Sequence, residues 1–342
     1  MDVRVRPLDL TLATPFRISR SVQHIAANVL VEIEHEGLTG IGEAAPSWYY
    51  GERREMVLAA LPHLSERLGD DPLLIEDIIG ELDNALYHGN ADAKAALDMA
   101  LYDLAGKTLG VPVYRLLGLN PAHTPVTSFT IGIDTPKAMA EKARAATEAG
   151  YPILKIKVGT PHDVETVRAI RDATDATLRV DANAAWTAKE AIQTINALAP
   201  YNIEFVEQPV AAGDLEGMKL VRENVPLHII ADESCITLED IPLMVGRADG
   251  INIKLMKCGG LRNALKMIAT ARAHHLKVML GCMIESSLSI TAAAHISPLV
   301  DYADLDGPLL IAADPFDGVR YDSGKLVLPD RPGLGVVSRE EK

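Results

Sequence analysis

Apolar and polar positions follow two rhythms along the chain, and the change comes near residue 120. Before it, VRVRPLDLTL, NVLVEIEHEG and TGIGEAAP alternate apolar with polar residues and are separated by turn formers, as strands with one buried face do. The period then lengthens in REMVLAALPHLSERL, LIEDIIGELDNAL and AKAALDMALYDLAGKTLG, where apolar residues recur at helical spacing. The last two segments are rich in strong helix formers. A small meander followed by helices predicts an α+β capping unit over residues 1–120, ended by the Pro- and Gly-broken LGLNPAHTP.

From about residue 125 an apolar strand alternates with an amphipathic helix. The predicted strands are VTSFTIG, ILKIKVG, TLRVDAN, IEFVEQP, LHIIADES, GINIKLMK, KVMLGCM and YADLDGP. Repeated βα units build a parallel sheet, and eight of them close into a barrel. The open doubly wound alternative lacks a GxGxxG after its first strand. The barrel is expected over 121–315, and VRYDSGKLVLPDRPGLGVV predicts an irregular segment over 316–342 that returns to the cap.

Composition narrows the function classes. The 342 residues are 48% hydrophobic, enough for a full-sized core, and carry a formal net charge of -14, which repels phosphate backbones and anionic lipid surfaces. Nucleic acid is therefore not expected as a partner. Cys235, Cys258 and Cys282 lie far apart with no CxxC, so a reducing cytoplasm fits better than a disulfide framework. The opening MDVRVRPLDLTLATPF has no charged segment followed by an apolar block, and no stretch reaches about 18 apolar residues. Neither export nor membrane insertion is expected.

The odd charges fall at the carboxyl ends of the predicted strands, where barrels of this kind place reacting groups. LKIKVG carries Lys155 and Lys157 on one face of its strand; RVDAN ends in Asp181, FVEQP in Glu207, IADES in Asp232 and INIKLMK in Lys254. Successive steps from Lys157 to Lys254 through the three acids are 24, 26, 25 and 22 residues, each one strand, one helix and their turns. Three carboxylates on consecutive strands, with no His or Cys among them, suit a hard cation such as Mg²⁺, with Mn²⁺ as a substitute. Strands two and six are opposite in a ring of eight, so Lys157 and Lys254 are expected to face each other across the mouth. One amine then takes a proton from one face of a carbon while the other delivers to the opposite face. Asp304 and Asp306 in ADLDGP again share a face.

Each residue also has an ordinary explanation. Strand-end carboxylates are commonly helix caps or surface ion pairs, strand-end lysines usually snorkel to solvent, and the acids before Gly307 and Pro308 are natural turn formers. On composition alone Arg20 belongs to the surface, and Met283 and Ile284 to the core. The ten histidines show no ligand spacing. It is the joint placement of the charges that favours a site.

In order and interval, LKIKVG, RVDAN, EFVEQP, ADES and INIKLMKCGG resemble the enolase superfamily, within it the muconate-lactonizing-enzyme-like subgroup. ADLDGP and GCMIESSLSITAAAH resemble its dipeptide epimerases, including those acting on L-Ala-D/L-Glu, and the likeness spans essentially the whole chain. The resemblance implies a modified (β/α)7β TIM barrel capped by the N- and C-terminal segments. It implies Lys157 and Lys254 as acid/base pair, Asp181, Glu207 and Asp232 as Mg²⁺ ligands, and Lys155 on the substrate carboxylate, lowering the pKa of Lys157. Asp304 and Asp306 would hold the dipeptide ammonium, Thr130 and Cys282, Met283 and Ile284 would line the peptide, and a loop around Arg20 would face the side chain. Tyr49, Tyr50 and Glu52 in WYYGERRE offer other side-chain contacts. A lysine must lose its proton easily to act as base, and burial beside Mg²⁺ and a second ammonium is expected to push its pKa down. β-Elimination as in o-succinylbenzoate synthase, muconate cycloisomerisation, a Schiff-base aldolase and a non-catalytic metal-binding barrel are the alternatives; the paired acids of DLD suit a substrate ammonium and repel a dicarboxylate. The preferred dipeptide and the oligomeric state, a homo-oligomer included, stay open.

Overall fold

The computed structural model describes residues 1–86 and 89–339. β1 (Asp2–Ile18) and β2 (Ser21–His35) form a long antiparallel hairpin, and β3 (Leu38–Ala44) adds to the other edge of β2. The expected loop around Arg20 is instead the tip of this hairpin. Pairing lapses after Thr11, around the Thr14–Pro15 break in the alternation, then resumes at Phe16 opposite Gln23 and leaves only Ser19 and Arg20 in the turn.

Behind the sheet lie α1 (Arg54–Ser65), α2 (Ile75–Ala85) and α3 (Ala91–Leu109), followed by the short α4 (Val113–Leu116). α3 is buried from Asp92 to Gly106, which explains its largely apolar circumference. The glycines of TGIGEA let β3 lie directly on it. A Cβ would stand 2.1 Å from the Ala100 carbonyl oxygen at Gly40, and 1.9 Å from that of Ala96 at Gly42.

Eight parallel strands follow: β4 (Phe129–Ile131), β5 (Ile153–Lys157), β6 (Thr177–Asp181), β7 (Ile203–Glu207), β8 (His228–Ala231), β9 (Gly250–Ile253), β10 (Lys277–Leu280) and β11 (Tyr302–Ala303), hydrogen-bonded in chain order. A parallel bridge between Thr127 and Ala303 joins the two ends of the sheet, with Ser128 N donating to the Ala303 oxygen at 3.1 Å. The helices that alternate with the strands are α5 (Pro136–Glu148), α6 (Asp163–Ala173), α7 (Ala188–Leu198), α8 (Leu215–Asn224), α9 (Ile241–Met244), α10 (Leu255–Cys258), α11 (Leu261–Ala273), α12 (Ser287–Ile296) and α13 (Gly307–Leu310).

Strand alternation separates two environments. Leu154, Ile156, Leu178, Val180, Val206 and Ile229 pack outward with the helices, whereas Phe205, Ile230 and Met279 form a separate inner cluster with Tyr302. Arg179 lies over the rings of Phe205 and Tyr302 at 5.2 and 5.1 Å and donates to Glu204 Oε2 at 2.7 Å. This plug closes the interior, so the residues two positions further along the same strands, Asp181, Glu207 and Asp232, stand above it at the open end.

The chain after residue 315 pairs β12 (Phe316–Asp317) with β15 (Val337–Ser338) and β13 (Arg320–Asp322) with β14 (Lys325–Val327). It also reaches the N-terminal helices: Val113 N donates to Gly333 O at 2.9 Å, and Leu334 N to Asp103 Oδ1 at 2.7 Å. Among the described residues no helix is long and apolar enough to cross a membrane.

Candidate active site

One cavity of about 500 Å³ opens between the strand ends and the N-terminal sheet, and Lys155, Lys157, Lys254, Thr130, Asp304 and Asp306 all line it. Cys282, Met283, Ile284 and Arg20 line it as well. Lys157 ends β5 and Lys254 directly follows β9, four strands round the ring of eight. The acids stand on the strands between them.

Asp181, Glu207 and Asp232 are fully buried. Lys157 Nζ donates to Asp181 Oδ2 at 2.6 Å; Lys254 Nζ donates to Asp232 Oδ2 at 2.8 Å. Lys155, buried to 1% exposure, reaches Asp304 Oδ2 at 2.7 Å, Glu207 Oε2 at 2.8 Å and Asp181 Oδ2 at 3.1 Å. Burial raises every carboxyl here, and which neighbour answers it sets the outcome. Lys157 and Lys155 overcome burial to hold Asp181 below the usual range, and Lys254 and Lys257 do the same for Asp232. Glu207 is pushed up to about 7 by burial and by Asp181.

Among the described residues no three acid, His or Cys side chains are drawn together closely enough to hold an ion as they stand. Buried carboxylates repel, and each has taken an ammonium as its counter-charge. The donor set nevertheless fits a hard cation. Glu207 Oε2 lies near Lys155 without hydrogen-bond alignment, and the buried oxygens Asn183 Oδ1, Glu233 Oε2 and Asn252 Oδ1 have no hydrogen-bond partner either. A surplus of unpartnered acceptor oxygens beside three buried carboxylates is what an oxygen-seeking divalent ion satisfies.

Burial alone would lower the pKa of Lys254, but the Asp232 carboxylate outweighs it and raises it. Lys155 is likewise held charged, because Asp304, Glu207 and Asp181 surround it. Its contacts are these three carboxylates, so it is the cation that allows so many acids to share the interior.

Asp304 accepts from Ser128 Oγ at 2.6 Å, and Asp306 Oδ2 from Thr130 N at 2.6 Å. Lys155 holds Asp304 low against burial, whereas burial and Asp304 push Asp306 up to about 7. Arg20 does not project freely into the cavity. It donates to Asn183 O at 2.8 Å, pairs with Glu233 Oε1 at 2.8 Å and lies 3.9 Å over the Tyr49 ring. Tyr49 and Tyr50 line the cavity; Glu52 also borders it, but its carboxylate accepts Ala91 N at 2.7 Å and so caps α3.

Sequence reasoning missed Asn183, Glu233, Asn252 and Lys257. Lys257 Nζ donates to Asp232 Oδ1 at 2.6 Å and to the Asp232, Cys235 and Asn252 carbonyl oxygens at 2.7–3.0 Å. Strand alternation carried a signal for Asn252, two residues before Lys254 and so on the same inward face. None marked Lys257, whose burial depends on the turn of α10.

Residues 1–118 match the N-terminal domain of mandelate racemase / muconate lactonizing enzyme, and 138–342 the enolase C-terminal domain-like family. The chain belongs to the mandelate racemase / muconate lactonizing enzyme family. Within this family it is 43% identical over 338 residues to an L-Ala-D/L-Glu epimerase of Bacteroides thetaiotaomicron, covering 98% of this chain and 88% of that protein. A dipeptide epimerase from Enterococcus faecalis V583, solved with Mg and L-Leu-L-Tyr, superposes with a TM-score of 0.93 at 41% identity and 98% coverage of both chains. The substrate-liganded L-Ala-D/L-Glu epimerase of Bacillus subtilis gives 0.94 at 35% identity, covering 99% of this chain and 98% of that one.

Proposed function

We propose that the chain is a Mg²⁺-dependent dipeptide epimerase that inverts the α-carbon of the C-terminal residue by 1,1-proton transfer between Lys157 and Lys254. The observation that carries it is their placement four strands apart in the ring, on one cavity, with buried acids on the three strands between. Family members whose names are epimerases, and whose solved forms hold Mg and a dipeptide, support the same activity.

An α-hydrogen beside a carboxylate is scarcely acidic, because its removal places a second negative charge next to the first. Asp181, Glu207 and Asp232 would hold the ion, with Mn²⁺ as a substitute. When bound, the ion supplies fixed positive charge where the enediolate charge develops. Lys157 removes or returns the proton on one face of the α-carbon and Lys254 on the other. Inversion requires one amine neutral and its opposite charged, with the states exchanged after turnover. Asp306, beside Asp304 at the end of β11, receives the dipeptide ammonium, and Lys155 keeps Asp304 ionised.

The test is a dipeptide library incubated with the enzyme and Mg²⁺ in deuterated water and read by mass spectrometry. Deuterium entering the C-terminal α-position of a subset of dipeptides supports the proposal and identifies the preferred side chain. No incorporation into any dipeptide contradicts it.

A further inference from the structure

The cavity wall made by Cys282, Met283 and Ile284 belongs to the six-residue connection between β10 and α12, yet the N-terminal sheet holds it from outside the barrel. Asn28, on β2, donates through Nδ2 to the Ile284 carbonyl oxygen at 3.0 Å and to Glu43 Oε1 at 2.7 Å. Glu43, on β3, is fully buried; its Oε1 also accepts Ser286 N at 3.1 Å and its Oε2 accepts Ser286 Oγ. Ser286 in turn caps α12, accepting Leu288 N at 3.2 Å.

The sheet cannot give way behind this contact. Gly40 and Gly42 set the backbone of β3 directly on α3, and Glu43, pointing to the opposite face, is thereby fixed in position. The bonds run from a rigid strand, through one carboxylate, to a connection whose other ties include Gly281 N to Ile253 O at 2.8 Å, Met283 N to Glu285 Oε1 at 2.5 Å and the packing of Ile284 with Leu10, Leu12, Ala26 and Ile311.

We infer that Glu43 is a positioning residue: working with Asn28, it ties the N-terminal sheet to the β10–α12 connection and holds the Cys282–Ile284 wall in register for substrate. Glu43 does not line the cavity, so it acts through Ser286 and Asn28. Its consequence for substrate affinity rests on the function proposed above, but the tether can be measured without substrate. Cys282 is partly exposed, whereas Cys235 and Cys258 are buried, so the three thiols report the wall and the core separately.

The experiment is iodoacetamide alkylation of the intact protein, followed by peptide mass spectrometry, on the wild type, Glu43→Ala, Glu43→Gln and Asn28→Ala. Losing these buried hydrogen bonds is expected to raise Cys282 alkylation about tenfold in Glu43→Ala, with Cys235 and Cys258 still protected. Glu43→Gln, which keeps an acceptor for Ser286, should fall between it and wild type. In turnover, Glu43→Ala should raise KM about tenfold with kcat within about twofold of wild type. An unchanged Cys282 rate overturns the inference, and so does equal acceleration of all three thiols, which marks general loosening. If Glu43→Ala does not fold, Asn28→Ala decides by the same criteria, since it removes the donor to Ile284 while Ser286 stays on Glu43. A wild type without epimerase activity would count against the proposed function alone, because the alkylation rates still report the tether.

Discussion

Lys157 Nζ lies 2.6 Å from Asp181 Oδ2. The amine proposed to move a proton is thus bonded to a carboxylate proposed to hold the metal, and Lys254 with Asp232 repeats the arrangement at 2.8 Å on the other side. Asp181 and Asp232, if they hold the ion, would have to share their carboxylates between it and these ammonium groups.

Chelation should therefore abolish turnover, and Mg²⁺ should restore it. Asp181→Asn keeps the side-chain shape but removes the charge, and is expected to cost at least about a hundredfold in kcat/KM. Titration calorimetry should show Mg²⁺ binding weakened in parallel. Unchanged Mg²⁺ affinity in this variant would remove Asp181 from the ligand set.

The fold was largely legible because a period-two pattern with polar residues at strand ends is a local signal. LKIKVG shows this best: Lys155 and Lys157 share the inward face, as their spacing requires, and Arg179 with Asp181 does so on the next strand. What local pattern does not carry is the partner of each charge. Glu207 beside Lys155, or Asp232 clamped by Lys257, joins residues 52 and 25 positions apart, so the extent to which the acids are neutralised in place emerged only from packing. The hairpin tip at Arg20 was hidden for a different reason. Its alternation is broken around Pro15, and pairing resumes beyond the break.

Lys155 is the common counter-ion of Asp304, Glu207 and Asp181. Lys155→Met leaves these buried carboxylates without it and is expected to destabilise the fold by about 3–5 kcal/mol. Urea unfolding should show a lower midpoint at unchanged slope. A midpoint equal to wild type would mean that the acids find other partners.

Asp306 is proposed to meet the substrate ammonium. Asp306→Asn should raise KM for a free dipeptide about tenfold, the loss of one charge-assisted hydrogen bond, while an N-acetylated dipeptide is bound equally by both proteins. Equal losses for the two substrates would remove Asp306 from that role.

His295 gives the stability curve a defined slope. Burial lowers it from its ordinary 6.5 to about 4, and Tyr114 N donates to its Nδ1 at 3.1 Å, a bond that protonation breaks. Between these pH values the unfolded chain binds the proton and the folded protein does not, so stability falls as pH falls from 6.5 to 4 and is fully present above 6.5. Relative to His295→Gln, wild type should lose about 3 kcal/mol across that window and stay parallel outside it, as measured by urea unfolding at each pH. Parallel curves throughout would mean that His295 titrates normally.

The opposed lysines are tested most directly by single-epimer exchange in deuterated water. With each pure epimer of an accepted dipeptide, Lys157→Ala should fold yet fail to wash the α-hydrogen out of one, and Lys254→Ala out of the other. If both variants exchange both epimers at the wild-type rate, proton transfer on two faces by this pair is wrong.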